Sequence, residues 1–167
     1  MSGVDERNGR VVIAQIMQPH EANPMGNIHG GVIMKYIDNA AAVIATRHAR
    51  GTAVTASIDR LDFFYPVSVG DLLLLKANLN WVGRTSMEIG VRVEAEHLAE
   101  GTIRHIASSY LTFVALDEDG HPRQVQALQP VDEQMRRRFR EAEGRRKVRL
   151  AEKRREEDCQ RHGRCGI

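Results

Sequence analysis

At 167 residues, 42% of them apolar, the chain is sized for one globular domain with an appendage, and no apolar run of about 18 residues marks a membrane span. The opening residues Met1-Ser2-Gly3-Val4-Asp5-Glu6-Arg7 lack the charged-then-apolar layout of a signal peptide, so a cytoplasmic protein is expected. The formal charge of +2 is unevenly spread: from Asp132 onward 13 Lys and Arg stand against 8 Asp and Glu, which leaves 11 against 14 in residues 1–131.

Residues 1–9 read as a flexible N-terminus and 10–17, Arg-Val-Val-Ile-Ala-Gln-Ile-Met, as a first strand. A turn-rich loop, 18–29, then leads through Gly30-Gly31 into an apolar helical run that lasts to about His48, where Gly51 suits a helix stop. The segment 53–63 reads as a strand halted by Tyr65-Pro66, and Asp71 to Val82 reads as another. After the turn Gly83-Arg84, the residues Met87, Ile89, Val91 and Val93 alternate with Glu88, Arg92 and Glu94, as a half-exposed antiparallel strand requires. A hairpin at Ala99-Glu100-Gly101 precedes the last long strand, 102–116, and the polar turn Asp117-Glu118-Asp119-Gly120. One strand, one helix and four strands joined by short turns make an α+β chain in which a curved antiparallel sheet covers the lone apolar helix.

At Gln129-Pro130-Val131 the β-type alternation gives way to polar, helix-favouring residues, so a domain is expected over 10–130 and a charged tail over 131–167. Within the tail, 132–158 reads as a solvated helix frayed by Gly144, with only Met135, Phe139, Val148 and Leu150 for an apolar stripe. Its interspersed acids and lack of stacking aromatics argue against nucleic acid as a partner. Cys159, His162 and Cys165 supply three metal ligands where a structural zinc site uses four, so no metal and a reduced tail are expected.

The chemistry gathers in Asn23-Pro24-Met25-Gly26-Asn27-Ile28-His29-Gly30-Gly31, followed by the helix. Paired glycines at a helix start leave amide groups bare, so a polarised carbonyl oxygen can approach the positive end of the helix dipole. Asp38, the only carboxylate in the run, falls beside the face made by Ile33, Met34, Ile37, Ala41, Ala42, Ile44 and Ala45, where an acid is costly without a task or a partner. Asn23, ahead of the glycines, can position a water or a carbonyl. Taken as bare pattern, the same residues also fit a tight turn and a solvated acid beside Lys35 and Asn39.

The pattern Asn-x-x-Gly-x-x-x-Gly-Gly-(x)6-Asp resembles the active-site segment of hotdog-fold acyl-CoA thioesterases, in particular the cytosolic acyl-CoA hydrolases and their short bacterial single-domain relatives. The resemblance extends to Val54-Thr55-Ala56-Ser57-Ile58-Asp59-Arg60-Leu61-Asp62-Phe63-Phe64-Tyr65-Pro66-Val67-Ser68-Val69-Gly70-Asp71, to Trp81-Val82-Gly83-Arg84-Thr85-Ser86-Met87, and to Leu111–Asp117 with the turn Gly120-His121-Pro122-Arg123. Coverage is roughly residues 10–130.

The resemblance implies a single hotdog domain and a hydrolase that converts acyl-CoA to free fatty acid and coenzyme A. Asp38 would be the general base, or the nucleophile; Gly31, with Gly30, would polarise the thioester carbonyl; Asn23 would orient water or carbonyl. Substrate contacts are expected from His29, Arg60, Arg84, Thr85 and Ser86. His29 departs from close relatives, which often carry an aromatic or another bulky residue there; it can contact the thioester or merely hold the loop. Coenzyme A enters as part of the substrate, and no cofactor is implied. The two sides of the site would come from different protomers, making a homodimer the minimal unit and a hexamer of three dimers the expected assembly. The runner-up readings are a hotdog hydratase or dehydratase, which would use a histidine paired with an acid, and a non-catalytic acyl-CoA sensor.

Overall fold

A computed structural model describes residues 9–161, which fall into two compact units separated between Gln129 and Pro130. The first unit is one antiparallel sheet around one helix. Its strands are β1 (Arg10–Ile16), β2 (Ala53–Ile58), β3 (Leu72–Val82), β4 (Ser86–His97) and β5 (Thr102–Ala115), in the spatial order β1-β3-β4-β5-β2. The helix α1 (Gly30–Ala49) packs against all five.

The packing follows from two periodicities. Along β3, Leu73, Leu75, Ala77 and Leu79 are buried, and Met87, Ile89, Val91, Val93 and Ala95 repeat this along β4. The alternation breaks where Asn80 and Glu88, expected on the open face, are buried together, Asn80 Nδ2 donating to Glu88 Oε1 at 3.2 Å. On α1 the buried residues are Ile33, Ile37, Ala40, Ala41, Ile44, Ala45 and Ala49, spaced at three and four. The alanines let the helix axis come close to the sheet, and each buried isoleucine stabilises the contact by roughly 1.5–3 kcal/mol. Register shifts at Thr55/Ser57, Leu79/Trp81 and Val93/Glu94 bend the strands around the helix. The expected order of elements and the covered helix are both present.

Several boundaries differ from expectation. The strand read over 53–63 stops at Ile58. Beyond Ile58 the chain stays beside β5 through the bonds from Asp59 N–H to the Tyr110 carbonyl and from Phe64 N–H to the Ile106 carbonyl, both 2.9 Å. At the end of α1 the left-handed residue is Arg50 (φ 50°), not Gly51. Gly51 is needed for space instead: a Cβ there would lie 2.8 Å from Nη2 of Arg123. That guanidinium donates to the carbonyls of Ala49 and Leu116, placing a cation at the negative end of the helix.

The second unit contains α2 (Glu133–Arg161). Asp132 Oδ1 accepts from the Met135 amide at 2.6 Å and starts the helix, which runs unbroken through Gly144. The fraying expected there is absent because one helical glycine costs only about 1 kcal/mol. Pairs such as Arg137–Glu141 (3.8 Å) and Lys153–Glu157 (3.9 Å) support the turns on either side. Cys159 is disulfide-bonded, contrary to the reduced state expected, while His162 and Cys165 lie outside the described residues. Among the described residues no helix is long and apolar enough to cross a membrane.

Candidate active site

The loop ahead of α1 is held at both ends. A 3-10 turn, Pro19–Glu21, buries Glu21, whose Oε2 accepts from the Gln18 amide at 2.8 Å and whose Oε1 accepts from the Tyr36 hydroxyl at 2.7 Å. Burial pushes the Glu21 carboxyl up, but the Gln18 amide, the Tyr36 hydroxyl and the charges of His20 and Lys35 together hold it below the usual carboxylate range. The same bond pushes the Tyr36 hydroxyl up. The loop then closes on itself through the Ala22–Ile28 bridge, and Ile28 N–H reaches the Val67 carbonyl at 2.8 Å.

Within this closed loop, Asn23 Oδ1 accepts from the amides of Met25 (2.9 Å) and Asn27 (3.3 Å). The oxygen expected to orient a ligand therefore builds the turn, as asparagine commonly does. The Nδ2 group has no partner among the described residues and is the end available to a ligand.

At the helix start the amides are not equally bare. The His29 carbonyl takes the N–H groups of Val32 (2.9 Å) and Ile33 (3.4 Å), and the His29 ring takes that of Gly31, which donates to Nδ1 at 3.1 Å. Gly30 N–H has no acceptor among the described residues. The glycine pair is thus half capped by its own neighbour, an arrangement the spacing did not foretell.

Gly30 lines a cleft of about 330 Å³ together with Asn23, Asn27, Ile33 and the stretch Phe63–Val67. A Cβ on Gly30 would lie 3.6 Å from the Phe63 ring, so the glycine keeps the cleft floor open next to that aromatic wall. Asn23 and Gly30 are therefore brought together; Asp38 is not among the lining residues.

Asp38 sits two turns further along α1, half-buried, where Thr55 Oγ1 of β2 donates to its Oδ1 at 2.6 Å. With a rise of about 1.5 Å per residue, it stands about 10 Å along the axis from the Gly31 amide of the same chain. Arg84, Thr85 and Ser86 belong to Asp38's half. Ser86 of β4 and Val54 of β2 both pair with Val114 of β5, so the β3–β4 turn lies at the end of the sheet where Thr55 lies. Arg60 falls beyond the other end of β2 and is paired with Asp62 at 2.9 Å on the surface.

The expectation from sequence overlooked Thr55 and Glu21. Thr55 was visible only as a strand residue, and its link to Asp38 spans 17 positions. Glu21 was one polar residue in a loop, with no spacing to tie it to Tyr36. Among the described residues the potential metal-ligand cluster is Asp117, Asp119 and His121, all exposed. It reads as a turn, since Asp117 Oδ1 accepts from the amides of Asp119 (3.1 Å) and His121 (2.8 Å).

Residues 25–102, which include the glycine pair, Asp38 and Thr55, match the family model described as the Thioesterase superfamily. The chain is also 40% identical over 128 residues, 77% of its length, to an acyl-CoA thioester hydrolase of Bacillus subtilis (strain 168), described as uncharacterized, and covers 74% of that protein. The chain belongs to the thioesterase superfamily. Mouse acyl-coenzyme A thioesterase 11 is 40% identical over 145 residues, 86% of this chain, which spans 24% of that protein.

Solved acyl-CoA thioesterases share the hotdog fold seen here. A hexameric enzyme in its apo form superposes with a TM-score of 0.83 at 39% identity, covering 88% of this chain and 94% of its own. An acyl-CoA hydrolase of Staphylococcus aureus, solved with butyryl-coenzyme A, coenzyme A and coenzyme A disulfide, gives 0.84 at 31% identity, covering 93% and 95%. Other solved forms of that thioesterase replace an aspartate, an asparagine and a threonine singly by alanine; their intervals along that chain equal those separating Asn23, Asp38 and Thr55 in this one.

Proposed function

We propose that the chain hydrolyses acyl-CoA thioesters to free fatty acid and coenzyme A, with Asp38 as general base and the helix start as oxyanion site. Asp38 takes a proton from water, the hydroxyl oxygen bonds to the thioester carbon, and the carbonyl oxygen accepts from Gly30 N–H and Gly31 N–H. The carbon–sulfur bond then breaks, and the departing thiolate takes the proton back from Asp38 to leave as free coenzyme A thiol. A thiolate is a good leaving group, so a base, a held water and amide donors suffice for this chemistry.

One observation carries the reading: Asp38 is half-buried on an apolar helix, and its resolved partner is the Thr55 hydroxyl at 2.6 Å. A hydroxyl donor orients a carboxylate while leaving it charged and basic. A hydratase would call for a histidine beside the acid, and the partner found is a threonine.

The separation of about 10 Å along α1 prevents Asp38 and Gly31 of one chain from acting on the same carbonyl. A second copy supplies the missing half. In support, β2 is an edge strand, and Val54, Ile58, Phe63, Phe64 and Tyr65 are large apolar residues left 40–58% exposed on it and on the stretch that follows. The minimal active unit is then a homodimer with two composite sites, and the hexameric state of the solved relative favours three such dimers. Asn23 Nδ2 orients water or carbonyl; Arg84, Thr85 and Ser86 reach the coenzyme from the end where Asp38 stands. Arg60, at the other end, meets the coenzyme only by leaving Asp62.

Thiol trapping of released coenzyme A across an acyl-CoA series tests this. Asp38→Ala and Asp38→Asn are expected to lose on the order of 10²–10⁴ in kcat while keeping the parental fold. Parental turnover in both folded variants removes Asp38 from the mechanism.

A further inference from the structure

His29 stands directly before the glycine pair at the start of α1. It is exposed and starts α1 with an extended backbone (φ −64°, ψ 129°), and its Nδ1 accepts from Gly31 N–H at 3.1 Å. A Cβ on Gly31 would lie 3.3 Å from that nitrogen, so the glycine is what lets the ring lie so close to the helix start. One of the two donors assigned to the thioester carbonyl is therefore already filled by a side chain of the same chain, while Gly30 N–H stays open. A ring nitrogen accepts only through a lone pair, so the bond exists with a neutral imidazole and is impossible once Nδ1 carries a proton.

We propose that His29 is a displaceable cap on the Gly31 amide: the neutral ring competes with the thioester carbonyl for that N–H, and protonation of the ring releases it. This rests on the reading of Gly31 as an oxyanion donor given above. His29 is then a positioning residue, acting through Gly31. Substrate entry requires the ring to turn outward, which its exposed position permits and which leaves the backbone bond from His29 N–H to the Glu21 carbonyl (2.9 Å) in place. Once protonated, the ring offers two N–H donors beside the helix start and no acceptor.

The charged and titratable groups on the elements around the ring are Glu21 and His20 of the 3-10 turn, Lys35 and Tyr36 in the first two turns of α1 with Asp38, Arg47 and His48 further along it, and Tyr65 of the cleft wall. Glu21 is held below the usual carboxylate range and Tyr36 above its own, so neither changes charge near neutrality. His20 is the histidine of the adjoining 3-10 turn, and His20→Gln serves as the control.

The test has one arm without substrate and one with it. In the full-length protein, the amide resonance of Gly31 is followed by nuclear magnetic resonance from about pH 5.5 to 8. It is expected to move with the His29 ring titration in the parent and in His20→Gln, and to stay still in His29→Phe and His29→Asn. Asparagine still offers a capping oxygen but no titration. In thiol-release assays, kcat/KM of His29→Phe relative to the parent should rise about fivefold from acid to alkaline pH, the worth of one hydrogen bond. His29→Asn should keep the parental level at alkaline pH and show no pH-dependent release.

A Gly31 amide that ignores the titration of His29 overturns the cap, whatever the activity. A flat ratio between His29→Phe and parent overturns the competition. A parent that releases no coenzyme A at any pH overturns the underlying reading of the site, and the resonance arm tells that failure apart from failure of the cap.

Discussion

Two side chains, Thr55 and Asp38, make the contact on which turnover is proposed to depend. The hydroxyl donates to Oδ1 at 2.6 Å and fixes the plane of the carboxylate, which leaves Oδ2 to take a proton. A hydrogen bond to a charged group is worth about 1.5–3 kcal/mol, so Thr55→Val is expected to lower kcat by about 10- to 100-fold. Thr55→Ser, which keeps the hydroxyl, should recover most of it. Both are read by steady-state thiol release, and KM should move little because Thr55 acts through Asp38. The lower end applies if the pair stays wet, the upper end if a second subunit covers it. An unchanged kcat in Thr55→Val would show that the carboxylate is oriented by something else.

Between elements, the latch that joins the 3-10 turn to α1 determines how the acid environment affects the fold. Because the Glu21 carboxyl is lowered in the folded chain, its contribution is complete above the ordinary carboxylate value of 4.5 and is lost as pH falls through the lower folded value. Glu94 behaves with the same sign, held down by Lys76 and by Arg92 at 2.7 Å, so the parent should lose stability on acidification through both. Glu21→Gln puts an amide NH2 where one oxygen accepted and should cost about 1–2 kcal/mol at neutral pH. Its Tm should fall less steeply than the parental Tm between about pH 5 and pH 3, since one of the lowered carboxylates has been removed while Glu94 and Glu133 remain. Parallel melting curves for the two proteins over that range would exclude Glu21 as a source of the acid response.

For the assembled protein, the composite site makes a prediction no single chain can satisfy. Asn23→Ala disables the half that carries the cleft, and Asp38→Ala disables the half that carries the acid. Each alone should be nearly inactive. After joint unfolding and refolding at equal amounts, half of the dimers are mixed and hold one intact site of two, so about a quarter of parental activity should return. No recovery, with mixed dimers shown by mass, would place both residues in one and the same half-site. An Ile58→Asp change on the exposed edge strand should yield monomers by sedimentation and little turnover.

Much of this was legible along the chain. The alternation of Met87, Ile89, Val91 and Val93, the apolar run after Gly30-Gly31 and the short turns between strands determine a helix covered by an antiparallel sheet, because those signals are local and periodic. Asn23, the glycines and Asp38 could be singled out for the same reason, as they lie within 16 consecutive residues. What only the tertiary structure decided are contacts between residues distant in sequence or set by side-chain rotation: Thr55 reaching Asp38 across 17 positions, Glu21 reaching Tyr36 across 15, Arg123 reaching the end of α1 across 74. The occupied Gly31 amide belongs with them. Spacing shows that His29 stands two residues before Gly31, but whether the ring turns onto that amide depends on the extended backbone at His29 and on the open space beside a glycine, which no local pattern encodes.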